Sequence, residues 1–211
     1  MTRTKKTIAF TCMSIGISIG MSIGLTSLSS PSFADSKQTA TTQTVTTGGR
    51  FMLKDHTGRV RTDQDFQGKF MLLYFGYTYC PDICPTSLQT MTHALDLLGK
   101  DADIIQPVFI SVDPERDTVA VLRDYVGAFH PRLIGLTGSQ VAINSVAKKF
   151  RVKFAKVADA GGINDDYVVD HTSSVFLMGI DGKFVTRFSH ATTAKQMAAK
   201  LREYTTKIKI K

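Results

Sequence analysis

The stretch that most limits what this chain can fold into is Lys69 to Tyr77, KFMLLYFGY. It is apolar without alternation and of strand length, the pattern of a strand covered on both faces. Such a strand needs a layer of structure on each side of it. The run gives way to Thr78-Tyr79-Cys80, and Pro81 follows where the first turn of a helix tolerates a missing N–H. Beyond it Leu88, Met91, Leu95 and Leu98 recur at helical spacing, so Ile83 to Leu98 is expected to be a helix.

The same alternation continues along the chain. Phe51-Met52-Leu53, a turn at Gly58 and Val60 read as a small hairpin. Ile104 to Val112 (IIQPVFISV) is a second buried strand. Thr118 to Phe129 reads as a helix with Asp117 as its N-cap, Leu133 to Leu136 as a short strand, and Gln140 to Phe150 as a helix. Arg151 to Val157 alternates like a half-exposed strand. Thr172 to Met178, a turn at Asp181-Gly182 and Lys183 to Phe188 form a hairpin, and Ala194 to Tyr204 closes the chain as a helix. Strands alternating with helices, then a hairpin and a last helix, define an α/β sandwich around a central mixed sheet.

The ends and the bulk composition set the context. The 211 residues suit one domain of fair size, and three cysteines are too few for a disulfide-stapled scaffold. The formal charge of +8 comes with no block of like charge and no basic helix stripe. It is read as general surface charge, with no nucleic-acid partner inferred. Arg3, Lys5 and Lys6 precede a stretch free of charge from Ile8 to Leu28, then Pro31 and Ser32-Phe33-Ala34. This is the layout of a secretory signal over residues 1–34, cleaved after Ala34. The alternative is an uncleaved anchor, since Ile8 to Leu28 is long enough to span a bilayer and its Ser-Ile-Gly repeats suit helix packing in lipid. Either way the working domain is expected outside the cytoplasmic membrane, in the periplasm or on the membrane's outer face. Residues 35–48, rich in Thr, Ser and Gln, read as a flexible tether, and residues 49–211 as the working domain. Cys12 is a passenger of the signal, which leaves Cys80 and Cys84 in a compartment where a close pair oxidises unless held reduced or bound.

Those two cysteines carry the chemistry. Cys80 stands near a helix N-terminus, where backbone N–H groups favour a thiolate, and Cys84 follows four residues later on the same face. Such a pair can close a disulfide or share a metal ion. Thiol–disulfide exchangers usually space the pair by two residues, whereas here Pro81-Asp82-Ile83 intervene. A soft metal needs further donors, and there are five histidines. His93 lies nine residues past Cys84, about 14 Å along the helix, too far to share an ion. His56, His130 and His190 read as turn or end-of-element residues. His171 is the best placed, after the acidic stretch Asn164-Asp165-Asp166-Tyr167 and at the mouth of the strand Ser173 to Met178. Two thiolates and one imidazole suit copper(I) and can hold copper(II), whereas structural zinc would want a fourth protein ligand.

YFGYTYCPDICPTSL, PVFISVDPERDT, IGLTG and DYVVDHTSSVFLMGIDGKF, in that order, resemble the Sco/SenC family over roughly Gly49 to Tyr204. The resemblance implies a thioredoxin-like sandwich with an extra hairpin. It also implies a copper-binding role in assembling the copper A site of cytochrome c oxidase, so the expected partner is that enzyme's copper-accepting subunit or another copper protein. The family's cysteine pair maps onto Cys80 and Cys84, and its histidine onto His171 through Asp170-His171-Thr172. Val169 to Ser174 contains no proline where a thioredoxin-type reductase would carry a cis-proline, which fits metal capture better than general disulfide exchange.

The leading expectation is a copper chaperone that needs no turnover, with Cys80, Cys84 and His171 as its metal ligands. The rival is a thiol–disulfide reductase that keeps the oxidase's cysteines reduced, with Cys80 as nucleophile and Cys84 resolving. A peroxiredoxin-like peroxidase ranks third. A mere staple gains little, because the loop it closes is so short. Asp113 to Asp117 reads as a docking loop or as a turn with a helix cap, and Asp82 as a charge-tuning residue or an acid favoured by the helix dipole. Of Tyr74, Phe75, Tyr77 and Tyr79, most are expected in the core and one over the metal.

Overall fold

The computed structural model describes residues 46–158 and 167–209. The signal or anchor of residues 1–34, most of the tether and the acidic residues Asn164-Asp165-Asp166 lie outside the described residues. In chain order the elements are β1 (Met52–Asp55), β2 (Val60–Thr62), β3 (Phe70–Gly76), α1 (Ile83–Leu98), β4 (Ile105–Ser111), α2 (Val119–Gly127), β5 (Ile134–Thr137), α3 (Gln140–Phe150), β6 (Phe154–Ala158), β7 (Tyr167–His171), β8 (Val175–Met178), β9 (Phe184–Phe188) and α4 (Ala194–Lys209). No described helix is long and apolar enough to cross a membrane.

All seven residues of β3 are buried, which is why its sequence shows no alternation. β4 pairs with it in parallel from Phe70↔Ile105 to Gly76↔Ser111, and β5 joins β4 in parallel. On its other side β8 and then β9 add antiparallel, while at the far edge β1 adds antiparallel to β5 and β2 antiparallel to β1. The result is a mixed sheet of order β2-β1-β5-β4-β3-β8-β9.

Successive residues of β3 face opposite layers. Tyr74 stacks on Phe109, which meets Tyr125 of α2; Phe75 meets Phe150 of α3 and Phe176 of β8. α1 turns Leu88, Met91, Leu95 and Leu98 inward and packs against α4. Burying side chains of this size contributes about 1.5–3 kcal/mol each, an upper bound given a partly collapsed unfolded chain.

Five expectations need correction. Asp117 does not cap α2. Thr118 does, its hydroxyl accepting from the Val121 N–H, while the Asp117 carboxylate turns inward. Arg151 is not strand; it ends α3 in the left-handed conformation at φ 58°. The alternating stretch after it becomes β6, which joins no part of the central sheet and instead forms a separate two-stranded ribbon with β7. His171 is the last residue of that ribbon's second strand, and the following strand starts only at Val175. Finally, α4 runs on to Lys209, past the expected end at Tyr204.

Candidate metal centre

Three chain segments converge beyond the carboxyl ends of β3 and β4, the edge where α/β sheets usually bind ligands. The first leaves β3 at Gly76. A Cβ at that position would lie 2.8 Å from the Cys84 sulfur, 2.9 Å from the Phe109 ring and 3.0 Å from the Tyr74 ring. Only glycine lets the helix carrying Cys84 come this close. The chain then turns, with the Cys80 N–H donating to the Tyr77 carbonyl, and α1 begins at Ile83. Cys80 therefore precedes the helix instead of opening it. Its sulfur still meets the helix start, accepting the Cys84 N–H at 3.4 Å.

The second segment follows β4. Asp117, fully buried, accepts from the Ser111 hydroxyl at 2.5 Å, the Thr78 hydroxyl at 2.6 Å and the Thr78 N–H at 3.1 Å. Burial pushes its carboxyl above the usual range, against the pull of these donors. The helix-cap half of the sequence expectation thus fails for Asp117, whose role is to tie the cysteine loop to the end of β4. Asp82 is exposed in the N-cap position of α1, with no side-chain cap bond.

The third segment is the ribbon, which delivers His171 opposite Phe154. Its Nε2 lies 3.3 Å from the Cys84 sulfur. The other ring nitrogen, Nδ1, lies 3.2 Å from the Thr172 carbonyl. A carbonyl only accepts, so this contact puts the proton on Nδ1 and leaves the Nε2 lone pair facing the sulfurs. Tyr74 and Tyr77 present their rings at near right angles to the imidazole, with centroids 6.1 and 5.9 Å away. The Tyr74 hydroxyl also donates to the Cys84 sulfur at 3.8 Å. Two tyrosines, where one was expected, thus enclose the site. Phe75 lies in the opposite layer and Tyr79 is 59% exposed.

Among the described residues one group of metal-ligating side chains converges: the ligating atoms of Cys80, Cys84 and His171 all lie within 4.8 Å of one another. Both cysteines are free thiols, Cys84 fully buried and Cys80 8% exposed. Burial pushes the Cys84 thiol up, and the neighbouring Cys80 adds to the effect. Burial also holds the His171 imidazole below its ordinary value, so it stays neutral and able to ligate. Two sulfurs and one nitrogen in a nearly dry pocket fit a soft ion of low coordination number. They offer one donor too few for a closed tetrahedral zinc site. The remaining histidines lie elsewhere. His56 and His130 accept backbone N–H groups from Gly135 and Arg132, His190 meets the Ser87 hydroxyl, and His93 is exposed on α1.

A thioredoxin-like sheet whose cysteine loop faces a histidine instead of a cis-proline defines a protein built to hold a soft metal. No cis peptide bond occurs among the described residues. The sequence pattern of SCO1/SenC matches residues 39–206, and the chain belongs to that family. It is 44% identical over 158 residues to the mitochondrial SCO2 homolog of Bos taurus, covering 74% of this chain and 59% of that one. It is 45% identical to Bradyrhizobium japonicum ScoI, solved with copper bound, at a TM-score of 0.68 over 75% of this chain and 99% of that one. Arabidopsis thaliana ScoI, also solved with copper bound, is 39% identical at a TM-score of 0.70 over 78% and 99%. The chain thus spans about three-fifths of the bovine relative's length.

Sequence reasoning missed Gly76 and Asp117 as parts of the site. A glycine interrupting a buried apolar strand is a legible sign of close approach. Asp117 carries no such mark, because Thr78, through which it holds the cysteine loop, lies 39 residues away.

Proposed function

We propose that the protein is a metallochaperone that carries one copper ion on Cys80, Cys84 and His171 and passes it to the copper A site of cytochrome c oxidase. The observation that carries this reading is the trio itself: two sulfurs and an unprotonated Nε2 within 4.8 Å, nearly buried, with both thiols free. Thiolate–imidazole sets of this kind hold copper(I) and accept copper(II). The copper-bound state of two solved relatives supports the choice of metal. The oxidase as destination rests on the motifs shared with the family. Ligand exchange with a thiolate-bearing acceptor moves the ion without a chemical turnover. Residues 1–34 act in this reading as an export signal or anchor, 35–48 as a tether, and the domain works in the periplasm or at the membrane's outer face.

A second reading is favoured by one observation, the free pair with Cys80 at the helix start and nearer the surface. The Cys80 thiolate would attack a disulfide of the oxidase, forming a mixed disulfide and releasing one partner thiolate. Cys84 would then displace the second, leaving Cys80–Cys84 oxidised and the partner reduced.

Copper titration of the reduced, anaerobic protein separates the two. One equivalent bound tightly, with His171→Ala weakened by about 10-fold or more, supports the carrier. No tight binding, together with mixed disulfides trapped by Cys84→Ser, supports the reductase. Unchanged binding by His171→Ala would overturn the ligand set.

A further inference from the structure

We propose that Arg116 is a positioning residue that sets His171 against the two thiols, by clamping the ribbon to the cysteine loop. The proposal rests on the copper-carrier reading for its functional meaning and on separate contacts for its geometry. His171 rides on β7, and neither β6 nor β7 shares a backbone ladder with the central sheet. Side chains must therefore hold the imidazole in register with Cys80 and Cys84.

Arg116 makes contacts on every side of that junction. Its Nε donates to the Asp113 carboxylate at 2.5 Å, and its Nη1 donates to the Tyr167 carbonyl, in β7, at 3.0 Å. Its guanidinium lies 3.7 Å from the Tyr167 ring centroid, 4.8 Å from that of Tyr79 and 5.6 Å from that of Tyr77. Tyr77 is one of the two rings packed on His171, and Tyr79 is the neighbour of Cys80. The Tyr167 hydroxyl completes the ring of contacts, donating to the same Asp113 carboxylate at 2.7 Å. Asp113 is fully buried and Arg116 mostly so, which makes the pair rigid as well as charged. A planar guanidinium can bridge a carboxylate and a carbonyl while stacking on rings; an ammonium cannot. No other described cation joins β7 and the cysteine loop in this way. Lys156 reaches the Tyr167 ring and Glu115. Arg116 itself touches none of the three proposed ligands and acts through Tyr77 and Tyr167.

The test uses the full chain with Arg116→Gln, Arg116→Lys, His171→Ala and the double variant Arg116→Gln/His171→Ala. Copper(I) affinity is measured by competition with a chromophoric chelator. Arg116→Gln should lower it by about 10- to 100-fold, as for other residues that orient a metal-binding histidine. The double variant should bind no more weakly than His171→Ala, because both changes remove the same ligand. Arg116→Lys, which keeps the charge and loses the fork, should fall between wild type and Arg116→Gln. It carries the same test should Arg116→Gln fail to fold. A metal-free readout accompanies these. In the reduced apo protein the His171 Nδ1–H should give a protected NMR signal in the wild type, and that signal should be lost in Arg116→Gln. If the wild type binds no copper, the carrier reading fails, and the ring signal alone decides the clamp. Wild-type affinity in Arg116→Gln, losses that add in the double variant, or an unchanged His171 ring signal would each overturn the proposal.

Discussion

At the scale of single residues the site is governed by burial. The Cys84 thiol, pushed up by burial, keeps its proton at neutral pH, so an entering cation must displace it. His171, held below its ordinary value by burial, favours the neutral ring with its lone pair free. The Cys84 shift predicts that copper affinity rises with pH across the neutral range, by about 10-fold per unit for each proton displaced. Competition titrations between pH 6 and 8 check this, and a flat profile would contradict it. The apo protein should change in the same direction for a different reason. The unfolded chain protonates His171 more readily than the folded one does, so stability declines as pH falls through the ordinary imidazole range. Gly76 gives a purely steric prediction. Gly76→Ala forces a methyl group against the Cys84 sulfur and two rings, and should cost about 1–3 kcal/mol in urea unfolding. Gly127→Ala, at the end of α2 with nothing within 4 Å, should be neutral or mildly stabilising and serves as the control.

At the scale of elements, what the sequence made visible depended on burial. β3 and β4 were legible because both faces of each are covered, and α1 and α3 because their apolar residues keep helical spacing. The ribbon was legible only in its first strand: the alternation after Arg151 marks β6, but nothing in that exposed strand shows that its partner is β7. The second strand, Tyr167–His171, shows little in the sequence because only Val169 of it is buried. The β1–β2 turn was placed by Gly58, but its organiser, Asp55, was overlooked. That carboxylate is buried and accepts from the Thr57 N–H and hydroxyl, the Arg59 N–H and Arg61 Nε. Burial opposes the charge, but these four donors outweigh it and hold the carboxyl well below the usual range. Asp55→Ala should therefore cost about 1–3 kcal/mol at pH 7. A depressed acid stabilises above its unfolded value, so the gap between wild type and variant should narrow as pH falls through about 4. Urea unfolding at several pH values measures both.

At the scale of the whole molecule, the two cysteines were legible from spacing alone, whereas the histidine was not. His171 stands 87 residues from Cys84, and no local pattern joins them. The shared motifs supplied that pairing, and the fold explains it: the ends of β3, β4 and β7 meet at one edge. The same fold divides the grip on the ion into unequal halves. The sulfurs belong to the first helix and to the loop that joins it to the sheet, both within the buried core. The imidazole belongs to an outlying ribbon moored by side chains. In the proposed carrier, an approaching acceptor thiolate would unseat the nitrogen by a small swing of the ribbon, leaving the sheet and the helix undisturbed. A carrier built this way would grip its cargo tightly in transit and still unload quickly, because thermodynamic hold and kinetic release would reside in different pieces of the structure.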